Sequence, residues 1–151
     1  APVAQTTSSE LADLDTAGVN VIRALPGIGV RVWGAHTLSF DRELRSLTLR
    51  RHVLFLQNSI ACGTRWAVHE PNDARLWQEL RTRIAEFLRW QFLDGAFVGS
   101  QAVEAYYVHC DESTVSVDDR AAGIVVCEVG VALLRAAEFI TFRVAQRTAS
   151  R

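Results

Sequence analysis

The segment ARLWQELRTRIAEFLRWQFLDG, residues 74–95, decides how this chain is read. Leu76, Leu80, Ile84, Phe87 and Leu88 recur at three- and four-residue steps, so a helix over Ala74–Asp94 turns one apolar stripe to a core. Glu79 and Arg83 stand four apart on the other side, a spacing that favours an ion pair. Asn72 or Asp73 can cap the start, because a short side-chain oxygen accepts from the free amides of the first turn. Gly95 ends the helix.

Working upstream, Arg50–Cys62 is apolar nearly all round, with Val53, Leu56 and Ile60 at helical spacing. It predicts a second, buried helix with Gly63 as a left-handed cap. Trp66 and Val68 alternate with Ala67 and His69, which reads as a strand, and Leu47–Leu49 reads as another short one. Val19–Leu25 and Ile28–Trp33 flank Pro26-Gly27 and predict a hairpin. Ala1–Thr16 is small and polar and reads as a linker or flexible arm. Downstream, Ala105–Cys110, Gly123–Val131 and Glu138–Ala145 are strand-like, separated in part by a polar, acidic loop at Asp111–Arg120. The sum is an α+β fold: a mixed or antiparallel sheet packed against two main helices, with extended terminal arms. Its expected organisation is an arm at 1–16, one domain at 17–146 and a tail at 147–151.

The 151 residues are 49% apolar and 22% charged, enough to bury a core and too apolar for wholesale disorder. Net charge is −1, which removes the electrostatic footprint of a general nucleic-acid binder. No apolar run reaches the ~18–20 residues of a membrane span, and no signal-peptide pattern is present. Every one of the 16 basic residues is Arg. Without Lys there is no Schiff-base or P-loop lysine chemistry. With no initiator Met, Ala1 reads as either a processing product or the start of an excised segment.

Candidate chemistry is sparse. Cys62, Cys110 and Cys127 form no CxxC pair, so neither a zinc site nor a disulfide scaffold is expected, and they read as buried thiols in a reducing compartment. His109-Cys110-Asp111 sets a nucleophile, a base and a carboxylate side by side. Neighbours in a strand point to opposite faces, however, so a thiol hydrolase would need His36, His52 or His69 brought to Cys110. Asp111, Glu112, Asp118 and Asp119 lack the glycine and ligand spacing of a calcium loop. Pro26-Gly27-Ile28-Gly29 lacks the spacing of a dinucleotide fingerprint. Trp33, Trp66, Trp77 and Trp90 fall on helix and strand periodicity, which favours core or interface packing. Arg50 and Arg51 at a helix start oppose the helix dipole and call for a carboxylate partner, in the chain or across an interface. No catalytic constellation, cofactor site or metal site emerges, and the chain reads as a non-enzyme.

One ordered set of motifs stands out. Gly18-Val19-Asn20-Val21-Ile22-Arg23 is followed by Gly29-Val30-Arg31-Val32-Trp33-Gly34-Ala35-His36-Thr37-Leu38 and by Arg50-Arg51. Glu70-Pro71-Asn72-Asp73 with Leu76-Trp77, Cys110-Asp111-Glu112, Glu128-Val129-Gly130-Val131 and Ala137-Glu138-Phe139-Ile140 complete it. From about Ala17 to Gln146 the chain resembles the C-terminal domain of tail sheath proteins of contractile phages and phage-like injection systems. His36, His69, Leu133 and Ala136 depart from the family pattern, which usually has Arg, an aromatic and prolines there.

The resemblance implies a structural subunit of stacked sixfold rings around an inner tube, whose contraction drives the tube through a target envelope. It implies neighbouring sheath subunits and the inner tube protein as partners, with baseplate and tail terminator at the ends and no direct membrane insertion. The particle would be assembled in the bacterial cytoplasm. Arms of neighbouring subunits would add strands to the sheet. The candidate inter-subunit strand is Glu138, Phe139, Ile140, Thr141, Phe142, Arg143 and Val144, since a terminal strand can be lent without rethreading. On that reading, deleting Glu138–Arg151 abolishes polymerisation more completely than it unfolds the domain, and Phe142→Asp acts similarly. The alternatives from other classes are a small Cys/His-dependent hydrolase and a non-contractile tail adaptor using the same strand addition.

Overall fold

The computed structural model describes residues 6–41 and 44–149. They fall into two compact units, one up to Val53 and one from Leu54. The expected class holds: the elements are mixed α and β, with two antiparallel sheets.

In the first unit, helix α1 spans Ser8–Thr16, where an unstructured linker was expected. Its cause is a capping box. The Glu10 amide donates to Thr7 Oγ1 at 3.3 Å, and the Thr7 amide donates to the Glu10 carboxylate at 2.8 Å. Ala1–Gln5, the rest of the expected arm, lie outside the described residues. Strands β1 (Val21–Leu25) and β2 (Gly29–Trp33) form the expected hairpin, with Ile22 opposite Val32 and Ala24 opposite Val30. The Asn20 amide brackets the following loop, donating to His36 O at 2.8 Å and accepting from His36 N at 2.9 Å. The His36 ring reaches back to Asp15 at 2.8 Å.

Helix α2 runs over Leu47–Gly63, starting in the first unit and continuing in the second. Leu47–Leu49, expected as a strand, are its first turn. Gly63 is not left-handed. The chain instead continues through Thr64, whose amide and hydroxyl donate to Ile60 O at 2.9 and 2.7 Å, into a 3-10 turn at Arg65–His69. That turn replaces the strand expected around Trp66 and Val68.

The second unit is organised by α3 (Ala74–Leu93). Asp73 caps it, accepting from Leu76 N at 3.0 Å, and Gly95 at φ +77° stops it. Leu76, Trp77, Leu80, Ile84 and Leu88 are buried, and Arg83 meets Glu79 at 2.7 Å on the outer face. A single turn, α4 (Ala102–Ala105), leads into β3 (Tyr106–His109). The loop expected to be irregular contains α5 (Val117–Ala121), started by a Ser116–Asp119 capping box. Strands β4 (Ile124–Val131) and β5 (Ile140–Arg147) follow, and the sheet order β3-β4-β5 is antiparallel throughout.

Side-chain alternation sorts this sheet into two faces. Val125, Cys127, Val129 and Val131 of β4, with Ile140, Phe142 and Val144 of β5, are buried on the side that carries α3. Tyr107, His109, Glu128, Thr141 and Arg143 lie on the other face. Gln146 ties the last strand back to α2, its Nε2 donating to Ala61 O at 2.7 Å and to Thr64 Oγ1 at 2.9 Å.

Three surface carboxylates are held below their ordinary range by local donors: Glu10 by the Thr7 amide and hydroxyl, Glu104 by the Ser100 hydroxyl and amide, and Asp111 by the Ser113 hydroxyl and amide. Because the folded values lie below the unfolded ones, the stability they contribute is present above about pH 4 and lost as pH falls through the folded values. Carboxyl-carbon NMR titration should give depressed midpoints for all three. Ser100→Ala and Ser113→Ala should raise the midpoints of Glu104 and Asp111 part of the way, since the backbone amides of residues 100 and 113 still donate.

Candidate assembly interface

The expected inter-subunit segment occupies an edge of the three-stranded sheet. Glu138 is exposed and meets Arg135 at 3.3 Å, while Phe139 sets its ring edge-on to Tyr107 at 5.1 Å between centroids. Thr141 and Arg143 are exposed, Thr141 bonded to the Tyr107 hydroxyl at 3.0 Å and Arg143 to Glu128 at 3.3 Å. Ile140, Phe142 and Val144, by contrast, are buried in this chain's own sheet, opposite Val131, Val129 and Cys127. Strand β5 therefore presents the exposed side chains of Thr141, Arg143, Ala145 and Arg147, and a backbone edge.

Arg50 and Arg51 follow the first turn of α2, so they stand one turn farther from the helix start than expected, Arg50 half-buried and Arg51 exposed. Among the described residues no carboxylate lies within ion-pair distance of either. Other arginines instead cover tryptophans: Arg23 over Trp33 at 5.4 Å, Arg83 over Trp66 at 4.8 Å and Arg120 over Trp77 at 4.9 Å. Trp77 alone of the four is fully buried; Trp66 is half-buried, and Trp33 and Trp90 are exposed.

A surface that sequence reasoning did not single out is the hairpin. Ile22, Val32, Val30 and Ala24 form one wholly aliphatic face, with Ile22 60% and Val32 65% exposed. Two-stranded sheets are marginal in water, and both edges of this one are unpaired among the described residues. The signal was in the sequence: strands with one apolar face and no third strand nearby to share it.

Within the second unit, His109 and Cys110 point apart. His109 is exposed and stacks on Tyr107 at 4.8 Å, whereas Cys110 is buried and its sulfur meets Cys127. No group of three or more His, Cys, Asp or Glu is placed to hold a metal among the described residues, and no helix is long and apolar enough to cross a membrane.

The sequence model of the phage tail sheath C-terminal domain matches residues 39–147. The chain belongs to the phage tail sheath family. No curated protein matches it. Among solved structures it is similar to a chain of the anti-feeding prophage baseplate, with 32% identity, TM-score 0.76, and coverage of 91% of this chain and 39% of the other. A chain of the sheath complex of the extracellular contractile injection system PVC, in its contracted state, gives 30% identity, TM-score 0.73, and coverage of 93% and 40%. A sheath tail protein of Desulfitobacterium hafniense shares the fold at 12% identity and TM-score 0.63, covering 96% of this chain and 33% of its own. The chain thus spans about two-fifths or less of the length of these relatives.

Several of the sheath-like motifs have structural duties. In Glu70-Pro71-Asn72-Asp73, Glu70 O accepts from Ala149 N at 3.0 Å. The Asn72 amide donates to Ile124 O at 3.0 Å and accepts from Trp77 Nε1 at 2.7 Å. Asp73 caps α3. Four residues thus join the end of β5, the start of β4 and the start of α3. Gly130 in Glu128-Val129-Gly130-Val131 leaves room for the Tyr107 ring, which lies across it.

Proposed function

We propose that this chain is the C-terminal part of a structural subunit of a contractile sheath, acting mechanically and without catalysis or a cofactor. The observation that carries this reading is its likeness, over nine-tenths of its length and at 30–32% identity, to chains of contractile injection systems. In the particle, subunits form stacked sixfold rings around an inner tube, bounded by baseplate and tail terminator. Contraction drives the tube through a target envelope. The particle is a phage tail or phage-like injection system, assembled in the bacterial cytoplasm.

The sheath-type domain extends over 17–146, between an arm at 1–16 and a tail at 147–151. Neighbouring subunits meet through backbone strand addition, which supplies hydrogen bonds along the whole contact while side chains set the register. Segment Glu138–Val144 takes part through its open edge, with its apolar side chains remaining in this chain's core. The unpaired edges and aliphatic face of the β1–β2 hairpin offer a second such surface. Arg50 and Arg51 take their carboxylates from a neighbouring subunit.

Val32→Glu tests this reading. The side chain is exposed, so the melting temperature of the isolated chain should move by the equivalent of less than about 1 kcal/mol. A charge on a face that assembly covers should nevertheless abolish tube formation, scored by sedimentation and negative-stain microscopy of particles built with the variant subunit. Normal tubes from Val32→Glu would remove the hairpin face from the interface. Discrete rings from the unaltered subunit, with no stacked tubes, would overturn the sheath reading itself.

A further inference from the structure

The β3–β4 register pairs His109 with Glu128, and its next rung sets Cys110 opposite Cys127. Their sulfurs are 2.7 Å apart, inside the separation of two non-bonded sulfurs and close to the ~2.05 Å of a disulfide. Both are free thiols, Cys110 1% and Cys127 3% exposed. When an oxidant converts one of two such facing thiols to its sulfenic acid, the other can resolve it before a second chain does. Cys110 borders a cleft of about 360 Å³ between the start of α3 and the loop after β3, beside Trp77, Arg81 and Asp111.

We propose that Cys110 and Cys127 form an oxidisable dithiol, converted by a peroxide to a disulfide that staples β3 to β4. Cys110 reacts first because it borders the cleft. Its sulfur attacks a peroxide oxygen, the Sγ–O bond forms, the O–O bond breaks, and the departing hydroxide takes the thiol proton and leaves as water. Cys127 then attacks the Cys110 sulfur. The S–S bond forms, the S–O bond breaks, and a second water carries away the Cys127 proton. Two thiols lose two electrons and one peroxide becomes two waters. The hydrogen bond to Cys110 and burial push the Cys127 thiol up from its ordinary value. The exposed Cys62 takes no part.

The test uses the full chain carrying Cys62→Ser, treated with hydrogen peroxide, denatured in an alkylating agent and weighed intact. The expected product has lost the mass of two hydrogen atoms, carries no alkyl groups, and yields one peptide pair joining Cys110 to Cys127. A reductant should restore both thiols. In Cys127→Ser, Cys110 should stop at the sulfenic acid and be trapped by dimedone. In Cys110→Ser, Cys127 should remain a thiol. The oxidised chain should melt several degrees above the reduced one, since the staple restricts the unfolded state. Two alkylated thiols after treatment that fully oxidises Cys62 in the unaltered chain would overturn the proposal. So would Cys110 carrying two or three oxygens beside an untouched Cys127.

Discussion

Phe142→Asp is expected to unfold the second unit. Phe142 is 6% exposed and sits in the edge strand β5 opposite Val129 of the central strand β4, on the face that carries α3. Truncating a buried phenylalanine costs about 3–5 kcal/mol, and leaving a carboxylate without a partner in its place adds to that. The total stability of a domain is only about 5–15 kcal/mol. Circular dichroism at room temperature should show lost native signal, or a melting temperature lowered by tens of degrees. Arg143→Gln, one position along on the open face, removes an exposed pair with Glu128 and should change stability by less than about 1 kcal/mol. Against the expectation that loss of Glu138–Arg151, or Phe142→Asp, abolishes polymerisation more completely than it unfolds the domain, both changes should unfold it at least as completely. Ile140, Phe142 and Val144 complete this chain's own core, so deletion of the strand unfolds its host.

The second large effect is expected at Gly130. The Tyr107 ring lies where a Cβ would stand, and it cannot swing aside freely. Its hydroxyl is bonded to Thr141 at 3.0 Å, Phe139 meets it edge-on at 5.1 Å, and His109 stacks at 4.8 Å. Gly130→Ala should therefore cost about 1–3 kcal/mol, the range of overpacking in a filled site. Tyr107→Ala in the same chain should recover much of that loss. A double-mutant cycle by denaturant unfolding reads the coupling directly, and additive effects would show that the ring relaxes at no cost.

What the sequence made legible follows from how much information each element carries. Ala74–Asp94 repeats its apolar stripe over five turns and has a cap at each end, so its period cannot be mistaken. The hairpin is marked by Pro26-Gly27 between apolar alternations. Residues 65–69 carry too few positions to separate a strand from a 3-10 turn, and the deciding bonds are those of Thr64 to Ile60, invisible to periodicity. Gly63 showed that a glycine after an apolar run need not be a left-handed stop when the next residue continues the hydrogen bonding. Thr7-x-x-Glu10 was readable as a capping box, but the small polar residues around it argued for a linker. For the interface, alternation in Glu138–Val144 correctly indicated one apolar face. Alternation alone does not tell whether the same chain or a neighbour buries it.

The bond from Gln146 to Ala61 spans 85 residues, whereas the hairpin closes on itself within one short stretch of chain. During synthesis at about 5–20 residues per second, the hairpin can form as soon as it emerges. The second unit must then wait roughly 4 to 17 s between the making of Ala61 and of Gln146. From its synthesis onward in that interval the stripe of α3 lacks the sheet that covers it, and β4, made late in the interval, lacks its partner until β5 follows. Several ribosomes on one message would hold identical half-built sheets side by side, each with an edge that fits the next chain's missing strand. On the proposed reading, in which subunits meet by strand addition, the risk of premature pairing is greatest before release and ends with the arrival of β5.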